Sequence, residues 1–167
     1  TRKWRERRNG TDQPVVLSAD AGTLEAQVEA LRAAGTEWVF LDLPGRAAHV
    51  ASAGFSLSDL VIIPCRPLDV DVEASLDTVE RVTRAKRKYA YLMNIAPSQN
   101  DMQRAKQARG FLRAHGHEVA EPIIVQRIEV PDAIAAGQGV NEYKPRSTSA
   151  KEFAELFDWI AKEVKRK

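Results

Sequence analysis

The sequence predicts an α/β domain, a mainly parallel sheet with helices on both faces. Two observations lead there. Short apolar runs, too short for typical helices, read as strands buried on both faces: Trp38 to Leu43, Leu60 to Cys65 and Tyr89 to Ile95. Stretches with helical periodicity separate the strands, and that alternation is the signature of a parallel sheet covered on both sides. The chain has 167 residues, 44% of them hydrophobic, enough for one such domain and hardly for two.

Element by element, TRKWRERR reads as the end of a helix that stops at Asn9-Gly10. A strand, Val15 to Ala19, follows Pro14. Leu24, Val28 and Leu31 fall at spacings of four and three, one apolar stripe on a helix that Gly35 ends. The strand WVFLDL runs into the sharp turn Pro44-Gly45. LVIIPC is the next strand, and Asp69 to Lys88 the next helix, with Asp69 suited to cap it. The strand ending at Ile95 precedes a helix from Gln99 to Ala114. IIVQRIEV, Ile123 to Val130, reads as a last short strand, with a short helix starting near Pro131. A helix from about Ser149 to Lys165 closes the chain, its apolar face formed by Leu156, Phe157 and Ile160. Gly137-Gln138-Gly139 and Pro145 mark a loop within the domain.

Composition removes several function classes. Net charge is +2, from 25 basic and 23 acidic residues, so nucleic-acid binding would need a local patch. Cys65 is the only cysteine and the three histidines are scattered, which excludes an intrachain disulfide and argues against a zinc site. No apolar run reaches the roughly 18 residues of a membrane span, and no apolar stretch follows the basic N-terminus as in a signal peptide. A cytoplasmic protein without membrane contact is expected.

In open parallel sheets, ligands sit beyond the carboxyl ends of the strands. Asp42 is a lone carboxylate closing an apolar strand. It reads as a Walker B aspartate holding Mg²⁺, or as the cap of a following helix. Asn94 ends another strand, and its carboxamide complements an adenine edge, or simply makes a turn. Arg127 follows the last strand, where it can meet phosphate or pair with a nearby acid such as Glu129. Arg81, Arg84, Lys86, Arg87 and Lys88 crowd one helix end, and Lys162, Lys165, Arg166 and Lys167 another. Such clusters bind phosphate backbones or merely offset helix dipoles.

The order and spacing of WVFLDLPG, SDLVIIPCRPLDVD, LMNIAP and QRIEVPDAIAAGQGVNEYKPRSTSAKEFAEL resemble the ParA family of partition ATPases, within the MinD/ParA deviant-Walker group of P-loop NTPase-like folds. The resemblance covers nearly the whole chain. It implies that Asp42 is the catalytic, Mg²⁺-side carboxylate, and that Leu43, Pro44, Gly45 and Arg46 form the switch that senses the γ-phosphate. It also implies that Asn94 contacts adenine, that Pro67 lies in a loop near the nucleotide and dimer interface, and that Arg127, Val130, Pro131 and Asp132 close over the base. ATP and Mg²⁺ are the implied cofactors. The implied partners are a second copy bound in the presence of ATP, nonspecific DNA on the nucleoid (through Arg81, Arg84, Arg87 and Lys88) and a ParB-like centromere-binding adaptor.

The family's phosphate-binding loop, of the form G-K-G-G-x-G-K-T, does not occur in these residues. The chain is therefore expected to be a partial domain, residues 1–167, that lacks the first strand and that loop and is inactive alone as an ATPase. The alternative is a non-enzymatic remnant or interaction module of the same fold that binds no nucleotide. The C-terminal KEVKRK lacks the apolar tip of the membrane-seeking helix common in MinD, and Cys65 lacks the partner cysteine of metal-cluster carriers.

Overall fold

A computed structural model describes residues 2–8, 14–44, 48–96 and 102–166. The architecture is α/β with parallel strands and helices. Helices α1 (Arg2–Arg7), α2 (Leu24–Ala33) and α3 (Ala48–Leu57) precede strand β1 (Val61–Cys65). Helix α4 (Asp69–Arg84), strand β2 (Tyr89–Met93) and helix α5 (Met102–Ala114) follow. Helices α6 (Glu129–Ala135), α7 (Val140–Tyr143) and α8 (Thr148–Lys165) complete the chain.

β1 and β2 pair in parallel, with Val61 opposite Tyr89 and Cys65 opposite Met93. The other edge of β2 takes backbone bonds from a third segment. The Tyr91 amide donates to the Glu118 carbonyl (2.9 Å), Ala120 to Tyr91 (2.8 Å) and Ile124 to Met93 (2.9 Å). This segment bridges in parallel at Val119 and Val125 only, so IIVQRIEV is not the continuous strand that its composition predicts. Its end instead winds into α6 from Glu129, where Pro131 sits in the first turn and needs no amide partner.

Side chains alternate across the strands, and each face meets different helices. Ile63, Cys65, Tyr91 and Met93 join Ala51 and Phe55 of α3, Val82 of α4 and Leu112 of α5 in one core. Leu92, with Ile62 beside it, faces Ile124, Leu156, Trp159 and Ile160 in a second core under α8. Tyr91 is fully buried, and its hydroxyl is satisfied by Ser75 at 2.8 Å.

Two predicted strands do not form. Val15 to Ala19 and Trp38 to Leu43 have no regular secondary structure, and neither belongs to a ladder among the described residues. No backbone pairs with either run among the described residues. Carbonyls in the first run are held by side chains instead, Val16 by Arg5 (2.8 Å) and Ser18 by Gln27 (3.2 Å). Val15, Leu17 and Phe40 remain exposed at 55%, 55% and 67%. Helix α3 is a further difference. Its residues AHVASAGFSL are apolar nearly all round and carry no amphipathic stripe, so the periodicity that marks α2 is missing.

α1 is fastened to the loop after α6. The Trp4 indole donates to the Gln138 carbonyl (3.1 Å), and Arg8 makes two 2.7 Å bonds to Glu142 and one of 3.2 Å to the Gly137 carbonyl. The Arg8 side chain is only 7% exposed, and its guanidinium, hydrogen-bonding Glu142, draws that carboxyl's pKa down to about 2. Gly137 makes the close approach possible. It has φ 70° as the residue after the helix end, and a Cβ there would lie 2.4 Å from the Arg7 backbone. Gly137→Ala should therefore cost about 1–3 kcal/mol and release α1. Thermal melting and the Trp4 contribution to fluorescence check this, and an unchanged melt with Trp4 still docked would contradict it.

Candidate functional site

The site is a cleft of about 1250 Å³ at the side of β1 away from β2. Its carboxyl-end lining brings Asp42, Leu43 and Pro44 together with Asn94, which are distant in sequence. Gly45 and Arg46 of the expected switch lie outside the described residues. Cys65, Arg66 and Asp71 complete this end.

Each lining group is placed by local structure. Leu43 packs on the core that contains Phe55, and Gly54 of α3 gives it room, since a Cβ at Gly54 would meet Leu43 Cδ2 at 2.5 Å. Asp42 is thereby carried to the cleft as an exposed carboxylate. Asn94 continues β2, and its amide donates to the Cys65 carbonyl at 2.9 Å. Its side-chain oxygen accepts from the Ile95 amide at 2.9 Å, which leaves the carboxamide N–H₂ as a donor pair. Ile95 has φ 52°, a left-handed conformation that a β-branched residue adopts at a cost of roughly 1–2 kcal/mol. The Ala96–Ile124 and Gln126–Ala96 backbone bonds, 3.0 and 2.8 Å, hold the strained turn in place.

Sequence reasoning missed the ion pair at the end of β1. Arg66 grips both oxygens of Asp71, and this hydrogen bonding holds the Asp71 carboxyl below its ordinary range. The five-residue spacing across a helix start was the available signal. Burial pushes the Cys65 thiol up to about 11, so it is a neutral core group at neutral pH.

Of the remaining described residues predicted for a site, Arg81 also lines the cleft and the others lie outside its lining. Pro67 is buried and follows Arg66 directly. Arg127 pairs with Glu152 of α8 at 2.7 Å rather than with Glu129, and Glu152 also accepts the Val125 amide at 3.2 Å. Val130, Pro131 and Asp132 lie in α6. The basic cluster is internally engaged. Arg81 stands over Phe55 and near Asp77, Arg84 pairs with Glu80, Arg87 donates to the Ser56 carbonyl, and Lys88 donates to the Glu163 carbonyl at 2.8 Å.

The donor set can be tested against Mg²⁺ and ATP. No group of three or more His, Cys, Asp or Glu that could cage a metal occurs among the described residues. Mg²⁺ needs no such cage, because it keeps waters and takes one or two carboxylates beside phosphate oxygens. Asp42 fits that demand, and the free donors of Asn94 fit a purine acceptor.

The fold is that of the ParA/MinD type of nucleoside triphosphatase. The cell-division ATPase MinD of Pyrococcus furiosus superposes with a TM-score of 0.70 at 16% identity, over 86% of this chain and 59% of that one. The septum site-determining protein MinD of Pyrococcus horikoshii, solved with Mg-ADP, gives 0.61 at 15% identity, over 89% and 61%. The chain thus spans about three-fifths of the length of these MinD structures. Within that class it belongs to the cellulose biosynthesis protein BcsQ family, whose profile matches residues 5–161. No curated protein matches the chain.

The packing of Leu43 against α3 yields a test of how the Asp42 segment is held. Gly54→Val should displace Leu43 and cost about 1–3 kcal/mol. Thermal melting reads the loss, and a melt equal to the parent would show that Leu43 repacks freely.

Proposed function

We propose that this chain is the Mg²⁺- and base-binding portion of an ATPase that works as an ATP-dependent dimeric switch. The observation that carries the reading is the meeting of Asp42, Leu43 and Pro44 with Asn94 at the carboxyl end of the cleft. Bound Mg²⁺ supplies charge neutralisation of the phosphates. Asp42 would hold the ion, Asn94 would donate to the base, and Leu43 anchors the Asp42 segment on the core. Arg127, fixed by Glu152, positions the start of α6 so that Val130, Pro131 and Asp132 border the base. Membership of the cellulose biosynthesis family supports a role in organising a cellulose-making assembly.

The complete protein should hydrolyse ATP in a Mg²⁺-dependent way, and Asp42→Ala should lower turnover by about 10- to 100-fold. Its melting temperature should stay close to the parent's, because Asp42 is exposed and its truncation opens no buried cavity. Residues 1–167 alone should show negligible turnover, lacking a backbone cradle for the phosphates. Steady-state hydrolysis beside thermal melting decides, and normal turnover in the mutant would falsify the assignment.

A second reading is ParA-like partition, with an ATP-bound homodimer, nonspecific DNA on the nucleoid and a ParB-like adaptor. One observation favours it. Lys88 contacts the Glu163 and Arg166 carbonyls, so the basic ends of α4 and α8 meet in one patch. Replacing Arg84 and Arg87 with Glu in the ATP-bound complete protein should weaken binding to random duplex DNA similarly for every sequence. The log–log salt slope should become shallower by about 1 to 2 per protomer. Unchanged affinity and slope would return the patch to a role in joining α4 to α8.

A further inference from the structure

The helical layer over β1 and β2 presents two faces of opposite charge. α4 and α5 pack on the same core, through Val82 and Leu112. Each follows one of two paired parallel strands, so the two helices run in the same direction. The outward face of α4 is acidic. Asp69, Glu73, Asp77 and Glu80 recur along it at spacings of four, four and three, and all are exposed. α5, MQRAKQARGFLRA, contains basic residues and no acid, and Lys106 and Arg113 are exposed on it.

The two faces match step for step. Glu73 and Lys106 are each the fifth residue of their helix, and Glu80 and Arg113 each the twelfth. The acids and the bases are therefore both about two turns apart. Between the acids stands Leu76, 47% exposed, and between the bases stands Gly110. Glycine weakens a helix interior, and this one serves no packing need, since a Cβ there would meet nothing within 4 Å. Phe111, 57% exposed with its ring 4.1 Å from that of His115, borders the same gap.

We propose that the α4–α5 face is a docking surface for a second copy of this chain, turned about a two-fold axis that lies between the two helices and parallel to them. This axis sets α4 of each copy on α5 of the other, parallel and in matching step. Glu73 then meets Lys106, Glu80 meets Arg113, and Leu76 covers Gly110, each contact made twice. Glu80 now pairs with Arg84 and Arg113 with Glu121, both through exposed partners whose surface pairs are weak enough to exchange. An axis across the helices would set acid on acid and is disfavoured by repulsion. A polyanion such as nucleic acid would be repelled by α4, and a uniformly basic partner by α5. A copy turned about the parallel axis presents the same two charges in reversed order, which is the complement this face requires.

Glu73, Leu76, Glu80, Lys106, Gly110 and Arg113 all lie outside the cleft lining, so the contact needs no nucleotide and is independent of the ATPase reading. α5 has 13 residues and is about 20 Å long, so two such helices offer roughly 400 Å² per partner, the size of a transient interface. Association should therefore be weak, with Kd of about 10–100 μM.

Sedimentation equilibrium of the complete protein without nucleotide, over about 10–500 μM chain, tests this. The parent should pass from monomer to dimer across that range, and about 0.5 M salt should return it to monomer. Glu73→Lys with Glu80→Lys, and separately Lys106→Glu with Arg113→Glu, should each weaken association more than about tenfold. Mixing the two variants re-creates opposite charges across both halves of the interface and should recover a dimer, which a misfolded variant could not give. Gly110→Gln should raise the melting temperature, as a better helix former with open space around it, and still weaken association about tenfold. A parent that stays monomeric, variants that associate like the parent, or a mixture that stays monomeric would overturn the proposal. So would association that appears only on adding ATP and Mg²⁺, which would place the contact at the nucleotide instead.

Discussion

Backbone pairing in the parallel sheet is the constraint on which the rest of this structure depends. β2 is hydrogen-bonded on both edges, to β1 and to the 118–126 segment, and carries the fully buried Tyr91 and Met93. Around that strand both cores close, α3, α4 and α5 on one face and α8 on the other. Among the described residues β1 is paired on one edge only, and the 38–43 run on neither. Order in the sheet falls away from β2 in the direction of the cleft. The residues expected to bind nucleotide line the cleft at that less-paired side, where backbone groups and apolar side chains are still available to a partner.

The carboxyl end of the sheet gathers features of a working site. Ile95 is held in a left-handed conformation by bonds on either side, which aims Asn94. Arg66 and Asp71 neutralise each other at the end of β1, so their charges do not compete with Asp42 for a cation. Cys65 stays a neutral thiol. An exposed carboxylate, a positioned carboxamide and a strained turn meet at this end, which is what the proposed nucleotide site asks of it.

The sequence revealed the elements better than their pairing. LVIIPC and YAYLM were legible as strands because an apolar run bounded by turn residues admits few other readings, and both form. WVFLDL has the same pattern and stays unpaired, since pairing depends on which backbone lies alongside, and no composition encodes that. α3 was invisible because a helix apolar all round shows no stripe. At the site, Asp42 and Asn94 stood out as polar residues closing apolar runs, and both line one cleft, whereas Leu43 and Pro44 entered only through the family resemblance. Arg127 was expected at the nucleotide, with a pair to a nearby acid such as Glu129 as the alternative; it pairs with Glu152, 25 residues away in α8 and beyond the reach of local spacing. The Arg8–Glu142 latch, joining the end of α1 to α7, was beyond it for the same reason.

The central claim is that the carboxyl end of this cleft receives a purine nucleotide. Photolabelling of the complete protein with an azido-purine analogue of ATP, followed by peptide mapping, tests it most directly. The account predicts labelling at Asn94–Ile95 or within Arg127–Asp132, suppressed by excess ATP with Mg²⁺. Labelling confined to other peptides, or labelling that excess ATP does not suppress, would contradict it.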